Sequence, residues 1–260
     1  MDTYVRPETY GIAALAAGGA ILASRFAVEN SSPAMALVRP PGHHAGPSYA
    51  GGFCYFNNAA IAAEWLIRSK QTKRVAIVDF DVHHGNGTAE IFKSRSDVLF
   101  ISTHLYGIYP GTGAAEDTGD GQGEGYTINI PFVSGCGDAS FLATYEQIIE
   151  PVLNQFKPNA VIVSLGIDSH YRDTLGSLTL SSGGYIDICS RLIDFSRGRC
   201  AFTLEGGYDF DATADVIAGL ASKSSGKTTA LRYTDVVDRE CAGSEVITRV
   251  KRIQSQYWKL

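Results

Sequence analysis

The sequence is poor in several features, and each shortage removes a class of protein. Its 22 Lys and Arg are outnumbered by 27 Asp and Glu, for a net charge of -5, so it has no basic footprint for direct nucleic-acid binding. Five cysteines (Cys54, Cys136, Cys189, Cys200 and Cys241) are odd in number and share no close spacing. They argue against a disulfide framework and for reduced thiols in a reducing compartment, with a cytoplasmic location expected. No apolar run reads as long enough to span a bilayer. No basic segment leads into an apolar one at the N-terminus, so neither a secretory signal nor a membrane partner is expected. Repeats of solenoid period and low-complexity tracts are absent. What is present is apolar content: 45% of 260 residues, with 28 Gly. That suits one large α/β domain over residues 1–260.

One stretch organises the chain. Val75-Ala76-Ile77-Val78 reads as a buried strand and runs into Asp79-Phe80-Asp81-Val82-His83-His84-Gly85-Asn86-Gly87-Thr88. Asp79, Asp81 and His83 alternate, so extended backbone would point them to one side. Carboxylates this close repel unless a cation lies between them, and an oxygen and nitrogen donor set suits zinc or a similar divalent metal. The plainer reading is a helix-capping Asp beside a satisfied core His.

Apolar strands are expected at 34–38, 75–78, 98–103, 126–130, 160–165 and 200–204. Between them the pattern predicts helices. One covers 8–28, with Tyr10, Ala13, Ala14, Ala17, Ile21 and Phe26 on a helical period and Gly18-Gly19 marking a close approach. A second is capped by Asn57 or Asn58, with Ile61, Trp65 and Leu66 on one face. A short one runs from Thr88 to Phe92. A fourth is capped by Asp138, with Phe141, Tyr145, Ile148, Ile149 and Val152 inward and a kink at Pro151. Another starts near Ser182, with Tyr185, Ile188, Cys189 and Leu192 inward, and two more cover 212–222 and 244–258. Residues 105–125 read as a long loop. Strand alternating with helix argues for a parallel sheet covered on both faces. His43-His44, Asp79 to His83, Ser102 to His104, Asp168 and Tyr208 each follow a strand's C-terminal end, the ligand-binding edge of such sheets. All six histidines of the chain lie in or beside these segments.

Several motifs, in order, resemble the zinc-dependent histone deacetylase family of the arginase–deacetylase superfamily. They are Arg39-Pro40-Pro41-Gly42-His43-His44-Ala45, Gly52-Phe53-Cys54-Tyr55-Phe56-Asn57, Asp79 to Thr88, Tyr109-Pro110-Gly111-Thr112-Gly113, Gly166-Ile167-Asp168-Ser169-His170 and Glu205-Gly206-Gly207-Tyr208. The Arg-Pro-Pro-Gly-His-His form is similar to the class II and prokaryotic branch. The resemblance implies an arginase/deacetylase fold with Asp81, His83 and Asp168 as ligands of Zn2+, or of Fe2+ or Co2+. It implies that His43 and His44 are the tandem pair beside the water, with Asp79 as the carboxylate on His43 and Asn86 in place of an Asp facing the second His. Tyr208 is implied as the phenol on the scissile carbonyl, and Gly52, Phe53, Tyr109 and Leu175 as channel residues. Asp79, Asp81, His83, Ser102 and Thr103 resemble a structural K+ or Na+ site; Phe92, Arg95, Val98 and Tyr126 match a second.

The implied reaction is hydrolysis of an acetylated amine to acetate and free amine. Acetyl-lysine in a protein or peptide is one substrate class and acetylpolyamine or another small acylated amine the other; the apolar Leu175 at the mouth favours acetyl-lysine. A ureohydrolase needs a second metal, whose carboxylate ligand is replaced by Gly85. A non-enzymatic acyl-lysine binding protein is opposed by the presence of Tyr208. Family members carry a segment ahead of the position of Met1. Here the expectation is a wider channel rim, a sheet edge in want of a partner and hence a homo-oligomer, with Asp2 matching a rim aspartate.

Overall fold

The six apolar runs become one parallel sheet in the computed structural model, which describes residues 3–260. Its strands are β1 (Ala34–Ala36), β2 (Val75–Asp79), β3 (Val98–Leu105), β4 (Thr127–Phe132), β5 (Ala160–Leu165) and β6 (Cys200–Leu204). They lie in the order β1-β6-β5-β2-β3-β4, and every neighbouring pair is parallel. The helices are α1 (Thr9–Asn30), α2 (Asn58–Arg68), α3 (Asn86–Phe92), α4 (Asp138–Thr144), α5 (Glu150–Phe156), α6 (Ser182–Phe195), α7 (Phe210–Ser224) and α8 (Ser244–Gln254).

Strand residues alternate between two apolar layers, as the pleat requires. Val75, Ile77, Phe100, Ile162 and Ala201 pack with α1 and α2 on one face. Ala76, Val78, Ile101, Val161 and Phe202 pack beneath α4 to α8 on the other. The expected α/β sandwich is therefore the observed one. From β2 the chain winds outward through β3 to β4, then returns to β5 on the other side of β2. That reversal opens a crevice at the C-terminal ends of β2 and β5.

Several local expectations are corrected. The inward face of α2 is Asn58, Ala59, Ala62, Ala63 and Leu66, while Ile61 and Trp65 are only half-buried. The buried stripe of α1 is likewise small: Ala13, Ala16, Ala17, Ala20, Ala23, Ser24 and Ala27. Small residues on both helices let them pack closely, so bulk is pushed outward. Tyr10, Ile12, Leu15, Leu22 and Phe26 are all exposed. With a mean hydropathy of 1.6, α1 is long and apolar enough to cross a membrane, contrary to the reading of the sequence. Gly19 is the close approach, its missing Cβ falling 2.8 Å from the Val38 side chain, whereas nothing crowds Gly18. Pairing of β1 stops at Ala36, before the predicted Val38, and a 3-10 turn at Gly121–Gly123 interrupts the 105–125 loop.

The helical stretch from Asp138 contains a π-turn, Tyr145–Ile149, closed by a bond from the Glu150 N–H to the Tyr145 carbonyl. The wider turn falls just ahead of Pro151, whose ring would collide with a carbonyl four residues back in a regular helix. Asp138 does not cap this helix; it is the first residue inside it. Its carboxylate instead accepts the backbone N–H and hydroxyl of Ser181 at 2.7 and 2.6 Å. The cap comes from Asp238, whose carboxylate accepts the N–H groups of Gly137 and Ser140 at 2.9 and 3.0 Å.

Burial pushes the Asp238 pKa up, but the Ser140 hydroxyl and the N–H groups of Gly137, Ala242 and Ser140 more than offset it, and the folded value is lowered. Asp238→Ala should therefore lower the unfolding free energy by ~2 kcal/mol at neutral pH. A depressed carboxyl stabilises above its unfolded pKa, about 4, and that stabilisation is lost as pH falls through the folded value. The difference between wild type and variant in denaturant titrations should thus be largest at neutral pH and shrink as the solution is made acid enough to protonate the folded carboxyl.

Candidate metal and catalytic site

Each strand of the crevice ends in chemistry. Extended pairing of β2 stops at Asp79, so Asp79, Asp81 and His83 do not continue as one alternating row. Asp79 turns to the tandem histidines, its Oδ2 lying 3.0 Å from His43 Nδ1. Asp81 and His83 instead meet Asp168 from the loop after β5. One ligand atom from each of the three lies within 4.8 Å of the others. His83 Nδ1 is 3.0 Å from Asp81 Oδ1 and 3.3 Å from Asp168 Oδ2.

The backbone shapes this cluster. Gly206 donates its N–H to Asp81 Oδ2 at 2.8 Å, and Val82 donates to Asp168 Oδ1 at 2.8 Å. A Cβ at Gly206 would fall 2.2 Å from Asp168 Oδ2, so only glycine admits the carboxylate. Asp168 Oδ2 is buried and has no hydrogen-bond partner. Burial and the nearby Asp81 charge push the Asp168 pKa up to about 7. Burial opposes protonation of His83, but Asp168 and Asp81 override it and hold its pKa at about 10. Two buried carboxylates around one imidazole thus demand positive charge, and Asp168 Oδ2 accepts no hydrogen bond, with only the His83 ring nitrogen at 3.3 Å beside it. These residues fit a divalent cation on donor chemistry and on geometry.

Above the cluster is a cavity of about 280 Å³ lined by Pro41, His43, His44, Gly52, Phe53, Asp81, His83, Tyr109, Leu175, Gly206 and Tyr208. The tandem rings have centroids 3.9 Å apart. Their surroundings drive their pKa values apart. Burial opposes charging of His43, yet the carboxylates of Asp81 and Asp79 raise its pKa well above the usual value. Burial and the His43 charge lower His44 to about 3, and its Nδ1 lies 2.8 Å from Asn86 Oδ1. One ring is built to hold a proton and the other to lack one. Burial and the charges of Asp81 and Asp168 raise the Tyr208 pKa, so this phenol remains a donor.

The walls are aromatic. Tyr109 meets His44 edge-on at 4.9 Å, and Phe53 faces Tyr208 at 6.5 Å between centroids. A Cβ on Gly52 would fall 2.3 Å from His44 Cδ2. Phe53 itself is left-handed, with φ 65°, a conformation costing a non-glycine residue about 1–2 kcal/mol. Leu175 is half-exposed at the mouth. Asp2 lies outside the described residues.

Of the expected monovalent-cation residues, Asp79 and Ser102 are register partners and the Thr103 hydroxyl donates to the Asp79 carbonyl at 3.2 Å. At the second such place, the carbonyls of Phe92 and Tyr126 accept the N–H groups of Arg95 and Phe100, both at 2.9 Å.

Two further buried carboxylates, Glu205 and Asp173, hold the loops of the site through main-chain donors. Glu205 Oε2 accepts the N–H groups of Gly42 and His43 at 2.6 and 3.1 Å, fastening the tandem-His loop to the end of β6. Asp173 accepts the N–H groups of Tyr208 at 2.6 Å, Asp209 at 3.1 Å and Leu175 at 3.0 Å, linking the phenol's backbone to the mouth. Both act through main-chain donors, which leave no side-chain pattern. The only available signal was an acidic residue within or beside a motif.

Comparison with known proteins converges on one family. A model described as the histone deacetylase domain matches residues 1–223. A probable deacetylase of Archaeoglobus fulgidus is 40% identical over 99% of this chain and 76% of its own length. Histone deacetylase HDA1 of Saccharomyces cerevisiae is 38% identical over 99% of this chain, which spans 38% of that protein. The crystal structure of the HDA15 HD domain superposes with a TM-score of 0.90 at 36% identity, covering 99% of this chain and 71% of that one. With a domain model over most of its length and relatives that match it in sequence and in fold, the chain belongs to the histone deacetylase family.

Proposed function

We propose that the chain is a zinc-dependent amidohydrolase that removes the acetyl group from acetylated lysine side chains. The observation that carries this reading is the shared cavity, one space lined by Asp81, His83, His43, His44 and Tyr208. Asp81, His83 and Asp168 would hold the cation; zinc suits this donor set, and Fe2+ or Co2+ fits the same donors. When bound, such a cation acidifies water and polarises the acyl oxygen.

The chain's own residues supply the rest. Phe53 and Tyr109 admit an unbranched alkyl chain and exclude water around it. His44 is neutral and tied through Nδ1 to Asn86, so Nε2 can take the proton of the attacking water. His43 carries a proton between Asp79 and Asp81 and is the source of the proton for the leaving amine. The Tyr208 hydroxyl donates to the acyl oxygen as negative charge develops there. Acetate and a free amine result.

The mouth supports acetyl-lysine over acetylpolyamine. Among the described residues its exposed lining is Phe53, Tyr109 and Leu175, and the one carboxylate is the buried Asp81. Among these described residues, a second ammonium group on a polyamine meets no carboxylate at the mouth.

Three outcomes are expected. Tyr208→Phe should bind the cation as wild type does and lose about 10²–10³-fold in kcat; unaltered turnover would remove the phenol from the mechanism. Zinc at a thousandfold excess over Kd should stabilise the wild type against unfolding by roughly 4 kcal/mol. In Asp168→Ala that gain should vanish, as thermal denaturation with and without metal would reveal. An acetyl-lysine peptide should be turned over with a higher kcat/KM than N-acetylputrescine or acetylspermidine, and the reverse order would reassign the substrate.

A further inference from the structure

Beyond Asn86 the hydrogen bonds continue to the surface. Asn86 Nδ2 donates to the Tyr49 hydroxyl oxygen at 3.1 Å, and the Tyr49 hydroxyl donates to Glu90 Oε2 at 2.8 Å. Asn86 opens α3 and Glu90 lies four residues on, so one helical turn sets them on the same face. Tyr49 comes from the loop after the tandem pair. That loop is closed by a bond from the Gly46 N–H to the Tyr49 carbonyl at 3.1 Å. A Cβ on Gly46 would fall 2.3 Å from the Tyr49 ring, so the glycine is what admits the phenol.

The order of donors along this chain is forced. A carboxylate only accepts, so the Tyr49 O–H must point at Glu90. The phenol oxygen is then left to accept, and Asn86 must turn its NH₂ toward it. That leaves the amide oxygen facing His44. A carbonyl oxygen cannot donate, so His44 Nδ1 carries the hydrogen and Nε2 keeps its lone pair. An asparagine without such neighbours could rotate by half a turn, offer NH₂ to Nδ1 and drive the hydrogen onto Nε2, which would disable the base. An aspartate at 86 would have no wrong side.

We propose that Tyr49 and Glu90 are positioning residues that fix the Asn86 amide and, through it, the tautomer of His44. The relay delivers to a neutral asparagine what a carboxylate in direct contact would otherwise impose. Burial and the hydrogen bond to Glu90 raise the Tyr49 pKa to about 12, so the phenol keeps the hydrogen that the relay requires. The inference rests on the reading of His44 as the base, and its test separates the two.

The first arm is a kinetic cycle on an acetyl-lysine peptide. Tyr49→Phe and Glu90→Gln should each lower kcat about fivefold, the usual effect of losing one oriented hydrogen bond, with KM within about twofold. In an Asn86→Asp background the same two substitutions should change kcat by less than about twofold, because the carboxylate accepts from Nδ1 whichever way it turns. Equal losses in both backgrounds, or losses confined to KM, would overturn the relay, since a merely structural role predicts them. The second arm needs no turnover. Ring ¹⁵N shifts of His44 in the metal-free protein, assigned with His44→Gln, should show Nδ1–H in wild type and growth of the Nε2–H form in Tyr49→Phe. Nε2–H in wild type, or no change in the variant, would refute the relay. A locked tautomer in a protein inert toward acetyl-lysine would retain the relay and overturn the function.

Discussion

Two carboxylates face each other in the interior of this protein, and the rest of the site is arranged around that fact. Asp81 and Asp168 are both nearly inaccessible to water, and both reach the same imidazole. Asp79 and Glu205 add two more buried carboxylates a few side chains away. Negative charge at this density is strongly unfavourable in a low-dielectric interior unless cations and N–H dipoles balance it. The fold supplies the dipoles through the backbone of Val82, His83, Gly206, Gly42 and His43. The remaining demand for positive charge sets the character of the crevice.

Topology explains why such distant residues meet. Asp81 and Asp168 are far apart in sequence, yet β2 and β5 are adjacent, with Asp79 opposite Ser164. β6 lies beside β5 and carries Glu205 and Tyr208 to the same edge. The loop after β1 then crosses the end of β6, where Glu205 fixes it. No side chain needs to travel far from its strand end, so the geometry inherits the rigidity of the sheet.

What the sequence revealed and what it hid divide along physical lines. The strands were legible because each is a short apolar run, and the chemistry was legible because polar residues end those runs in motifs that keep their order. Asp81, His83, Asp168, His43, His44 and Tyr208 were all named from that pattern and lie about one crevice. Long-range capping was hidden: Asp238 caps a helix that begins a hundred positions earlier, and Asp138, with the right residue type in the right place, bonds Ser181 instead. The inner face of α2 was misjudged because bulky side chains suggest a core, whereas Ala59, Ala62 and Ala63 let two helices pack closely. Asp173 and Glu205 were passed over because their partners are backbone amides, which every residue possesses. Tyr49 and Glu90 belong to no motif; only the turn at Gly46 and the helix from Asn86 bring them together.

Phe53 carries an implication for how this pocket persists. Its backbone sits in a region that glycine enters freely and phenylalanine does not, directly after a glycine that is also left-handed. A replacement by glycine would relax the loop while erasing one side of the aperture. Selection for robustness alone would favour that exchange, and selection for a narrow entrance would oppose it. The ring thus stands at the mouth against the local preference of the main chain, so the loop gives up backbone ease for an aromatic wall.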